Sequence, residues 1–156
     1  MESYELWKFL HVVAAIVWLG AGVTLYLQFS YLGMRRDSEG LLKMTLMAEW
    51  MGPRVFAPAS IATLVSGIIM VVTTDGLEFS EPFITIGFAG VIASLILGMG
   101  FTESRAKQYV ALAEAEGHDA PGLEPIGREI GRFSLIDLVV LFFVVWAMVV
   151  KPTWWG

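Results

Sequence analysis

The 156 residues contain no cysteine. That excludes disulfides, thiolate catalysis, cysteine-ligated zinc and iron–sulfur clusters. Histidine is scarce. His11 and His118 are the only two, too few for an all-histidine metal cage. Charge is scarce as well: 16% of residues are charged, against about 25% in a soluble domain. No basic cluster has the footprint of a nucleic-acid interface, so no nucleic-acid partner is expected. The start of the chain lacks the basic region of a cleaved signal peptide, having Glu2 and Glu5 against Lys8. Its apolar stretch runs to about Phe29, beyond the roughly 7–15 residues of a signal core, so a retained transmembrane helix is expected.

What is present is apolar length. Hydrophobic residues make up 56% of the chain, and the mean hydropathy is +0.69. Four segments, 6–31, 55–72, 82–101 and 133–150, meet or approach the ~20 residues that cross a ~30 Å hydrocarbon layer. Backbone polar groups in lipid must satisfy one another, so the segments are read as helices. The expectation is an all-α fold, a four-transmembrane-helix bundle forming one integral membrane domain over 1–156. Pro82 suits a first helical turn, and Asp75-Gly76 and Lys151-Pro152 suit helix ends. Pro58 is expected in the first turn of the second span or at a kink. The connections also have pattern. Ser38–Met51 reads as a short amphipathic helix, 104–116 as an extension of the third span, and 117–122 as a loop.

Lysine and arginine set the expected orientation. The first and third connections, with the adjoining helix edges, hold Arg35, Arg36, Lys43, Arg54, Arg105, Lys107, Arg128 and Arg132. Only Lys8 and Lys151 fall on the other side, and 73–81 carries three acids with no base. By the positive-inside rule both termini face the outside of a bacterial inner membrane. Tyr4, Trp7, Trp154 and Trp155 fit an aromatic belt at that outer face.

Within the spans, ionisable groups are costly and mark candidate sites. His11 lies about 7–8 Å inside the outer end of the first helix at 1.5 Å per residue. Trp7, Ala14, Ala15, Trp18 and Gly22 share its face. Small neighbours leave room for a flat ligand, and they equally let helices pack closely. Histidine ligates metals and haem iron. Met70 and Met148 are expected at the same level, so a His/Met haem or copper site could be assembled, although methionine is also ordinary core filling. Asp137 sits about one turn from the inner end of the fourth helix. Its expected partner is Arg54, with Glu49 nearby, and a proton relay is the sharper alternative. Glu103 and Arg105 are assigned to the same inner surface. His118 is read as a solvated loop residue. The glycines of 87–90 and 98–100 signal close packing and match no nucleotide-binding pattern.

The run Lys8-Phe9-Leu10-His11-Val12-Val13-Ala14-Ala15-Ile16-Val17-Trp18-Leu19-Gly20 resembles the first helix of a group of small bacterial membrane proteins. A short four-helix family of predicted integral membrane proteins of unknown function resembles the chain further at Glu49-Trp50, at Arg54-Val55-Phe56-Ala57-Pro58-Ala59 and at Met148-Val149-Val150-Lys151-Pro152. The first helix is also similar to the copper-resistance protein D and membrane protoporphyrinogen oxidase families. The latter likeness implies an association of His11 with haem. The chain departs from the oxidase pattern in its further polar residues, and from a copper transporter in its few histidines.

Three functional classes follow. The first is a redox protein binding haem b through His11, or a haem-dependent oxidoreductase, alone, as a homodimer or with a redox partner. The second is a copper-handling or transport component using His11 and the methionines. The third is a cofactor-free structural or assembly subunit.

Overall fold

A computed structural model describes residues 2–152. Trp154 and Trp155 of the expected aromatic belt lie outside the described residues. The described residues form six α-helices and no strand: α1 (Glu2–Met34), α2 (Ser38–Met51), α3 (Ala57–Thr73), α4 (Pro82–Leu95), α5 (Glu103–Glu116) and α6 (Leu123–Val150). Two π-helical segments, Gly52–Phe56 and Ile96–Thr102, join α2 to α3 and α4 to α5. The result is four rods long and apolar enough to cross a membrane. Their middles are apolar, and α2, α5 and the start of α6 project at one end, hereafter the loop end.

The first π segment has a local cause. Pro58 lacks an N–H, and its ring would collide with the carbonyl four residues back in a regular helix. The turn before it is widened, and the Ala57 N–H donates to the Gly52 carbonyl five residues earlier. The rod therefore continues through two prolines. The second π segment follows the same pattern, the Glu103 N–H donating to Gly98. At the end of α1, the N–H groups of Arg36 and Asp37 donate to the carbonyls of Gly33 and Leu32. This closing motif places Arg36 in the left-handed region at φ 53°. Asp37 then caps α2, its carboxylate accepting from the Gly40 N–H at 2.8 Å.

The rods pack mainly in two pairs, α1 along α3 and α4 along α6, joined by α1 against α6. Glycine permits the second pairing. A Cβ at Gly87 would collide with the Met148 methyl, and one at Gly90 with Val144. Trp18, Ala59, Val91 and Leu141 close the mid-bundle core from all four rods. Around Tyr109, a second cluster with Ala106, Ala113, Leu123 and Ile130 unites the helices of the loop end. Much of the remaining apolar surface is outward-facing, as hydrocarbon solvent requires.

α6 starts ten residues before the apolar run at 133, because Leu123 and Ile130 are buried against α5 while Arg128 and Glu129 face outward. A hydropathy window does not register that amphipathic turn.

Candidate functional site

His11 is half-buried between α1 and α3. Its Nδ1 lies 2.8 Å from the Thr63 main-chain oxygen and 3.2 Å from Ser66 Oγ. A carbonyl only accepts, so Nδ1 carries the proton and donates to Thr63. In the neutral ring this leaves the lone pair on Nε2. The Ser66 hydroxyl donates to the Ala62 carbonyl at 2.5 Å, so its oxygen is free to share the Nδ1 proton. Gly67 makes the close approach possible, since a Cβ there would stand 3.3 Å from His11 Cε1. Both hydrogen-bonding contacts of the ring are made through Nδ1.

Thr63 and Ser66 are buried at 7% and 2% exposure. Both hydroxyls bond carbonyls of their own helix, Ala59 and Ala62, which satisfies them in hydrocarbon. Beside this contact an apolar groove of about 300 Å³ runs between α1 and α3, lined by Trp7, Leu10, Ala14, Ala62, Val65 and Ser66. Ser66, which shares the His11 Nδ1 proton, is also one of the groove's lining residues.

The other predicted residues disperse. Trp18 belongs to the mid-bundle core, two turns from His11. Met70 is half-buried on α3, three residues beyond Gly67, on the stripe that also carries Thr63. Met148 turns onto Gly87 of α4, so its thioether fills the α4–α6 contact. Among the described residues no group of three histidine, aspartate or glutamate side chains has a metal-binding arrangement.

The expected Arg54–Asp137 pair does not form. Arg54 is exposed; its guanidinium lies 4.8 Å over the Trp50 ring and donates to the Trp50 carbonyl at 3.2 Å. Asp137 has Ser94 of α4 as its hydrogen-bonding neighbour, and its Oδ1 has no partner. The rotation of α6 that buries Leu138 and Leu141 turns the carboxyl toward α4, away from the surface where Arg54 stacks. Glu49 joins neither residue in an ion pair. Arg105 pairs with Glu129 of α6 at 2.6 Å and Glu103 with Lys107.

His118 is not merely a solvated loop residue. Its Nδ1 is 3.1 Å from Ser38 Oγ, and Ser38 donates to Asp119 Oδ1 at 2.5 Å. That hydrogen bond, with the neighbouring His118, holds the Asp119 carboxyl below the ordinary carboxylate range. The trio does not form a nucleophilic site, because the serine proton is committed to the carboxylate and not to the imidazole. It clips the 117–122 loop to the start of α2. Its partners lie 80 and 81 residues from Ser38, so no local sequence pattern announces it.

A family described as predicted integral membrane proteins (DUF2269) matches residues 5–152. The chain belongs to this family. No curated protein and no solved structure matches it. As a member of that family, the chain is an integral membrane protein whose four rods meet a lipid bilayer, and the likeness of its first helix to the copper-resistance D and protoporphyrinogen oxidase families stays a resemblance.

Proposed function

We propose that this chain binds haem b, with His11 Nε2 as one axial ligand, in electron transfer or haem-linked redox chemistry. The observation that carries this reading is the Nδ1–H bond to the Thr63 carbonyl. A metal-ligating histidine characteristically donates its other ring N–H to a carbonyl or carboxylate, which sets the tautomer and the ring plane. The adjoining groove is apolar, as a macrocycle requires. The donor set fits a single protein ligand. Met148 packs on Gly87, so a second ligand would come from Met70, from a second copy of the chain or from a redox partner. Bound haem would supply one-electron chemistry. The chain's part is to hold the imidazole neutral, oriented and shielded from water. The eight-to-two asymmetry of basic residues supports both termini on the outer face of a bacterial inner membrane.

Haem quantification as the pyridine haemochrome, on protein purified from haem-supplied cells, tests this reading. The wild type should carry haem and His11→Ala should not, at equal yield and helix content.

A second reading has its own observation. His11 Nδ1 reaches two groups of α3, and Asp137 faces Ser94 of α4, so each ionisable group ties two rods together. A cofactor-free assembly subunit needs no more than that, and haem-free wild-type protein would favour it. Copper handling has less support, since among the described residues no histidine or carboxylate cluster joins His11.

A further inference from the structure

The loop end of α1 carries two arginines without an acidic partner among the described residues. Arg35 and Arg36 are both exposed, and neither has a carboxylate within 4 Å among the described residues. Nearby acids are engaged: Asp37 accepts from Gly40 N and Glu39 pairs with Lys43. Arg35 is held in place, its guanidinium 5.5 Å from the Tyr31 ring centre and donating to the Tyr31 hydroxyl at 3.0 Å. Tyr31 also lines a shallow apolar groove of about 290 Å³, with Leu27, Gln28 and Leu32. The groove follows the bilayer-facing stripe of α1, and Arg35 continues that stripe one turn past Tyr31. Arg36 occupies a left-handed backbone position, where glycine is the usual residue.

We propose that this groove and its two arginines form a site for an anionic glycerophospholipid, with an acyl chain along Leu27, Tyr31 and Leu32 and the phosphate between Arg35 and Arg36. Charge complementarity selects the occupant. The groove faces hydrocarbon, so a lipid chain fills it, and the two exposed arginines that follow its lining residues along the chain match a headgroup of net negative charge. The inference rests on the membrane placement of α1 and is independent of haem.

Native mass spectrometry of the full chain in detergent, titrated with phosphatidylglycerol and with phosphatidylcholine, tests it. The wild type should bind phosphatidylglycerol about 25-fold more tightly. R35Q/R36Q should bring the ratio close to one, a loss of about fivefold per arginine removed. R36G relaxes the backbone while deleting one charge, so it should lose about one fivefold step while staying folded. R54Q deletes an equally exposed arginine elsewhere and should leave the ratio unchanged. A wild type that does not discriminate, or an R54Q effect equal to that of R35Q/R36Q, would overturn the proposal.

Discussion

The Nδ1 of His11 and the main-chain oxygen of Thr63 stand 2.8 Å apart, joining two rods of the bundle by a side chain reaching a backbone acceptor. Because the acceptor is a carbonyl, no substitution at 63 deletes it. The bond is therefore tested from the histidine side. His11→Phe, which keeps a flat ring and drops the donor, should destabilise the bundle by about 0.6–1.7 kcal/mol, the range of interhelical hydrogen bonds in lipid. Denaturant unfolding in mixed micelles reads this difference.

Gly87 and Gly90 lie on the same face of α4 but should respond differently to alanine. At 87 the added methyl meets the flexible end of Met148; at 90 it meets the stiff Val144. Gly90→Ala should cost about 1–3 kcal/mol as overpacking, and Gly87→Ala clearly less, since methionine can swing aside. Thermal unfolding of the two variants side by side checks the order.

Arg54 and Asp137 should be energetically independent. A double-mutant cycle with Arg54→Gln and Asp137→Asn is expected to close within about 0.3–0.5 kcal/mol. A larger coupling would mean that the pair forms in the bilayer.

The Ser38–Asp119 clip gives a pH signature. The Asp119 carboxyl is held below its ordinary value of 3.8. Its contribution is thus complete above that value and is lost as pH falls through the lower, folded one. The stability difference between wild type and Asp119→Asn should shrink as pH falls below about 4. Thermal unfolding across that range follows it.

These residues show what a sequence reading reaches in a membrane chain. Apolar run length locates rods, because hydrocarbon thickness sets it, and rise per residue locates depth along each rod. Neither sets rotation. Arg54 and Asp137 were matched by depth, yet packing of Leu138 and Leu141 turned the carboxyl toward Ser94. Met148 was matched to His11 by depth, yet the gap above Gly87 captured it. His11 stood out as an ionisable group among apolar neighbours, but Thr63 and Ser66 did not, since their hydroxyls read as ordinary helix-bonding side chains. The π turn before Pro58 was half visible: proline announced a disturbance, and the long rod shows that a widened turn absorbed it. The Ser38–His118 contact joins distant segments and leaves no local pattern.

Haem ligation by His11 Nε2 is tested by the reduced-minus-oxidised absorption spectrum of the purified full chain, produced with haem supply, beside His11→Ala. A Soret band and reduced α and β bands are expected in the wild type, absent from a variant with unchanged helix content. A featureless spectrum from folded wild-type protein, or haem bands that persist in His11→Ala, would contradict it.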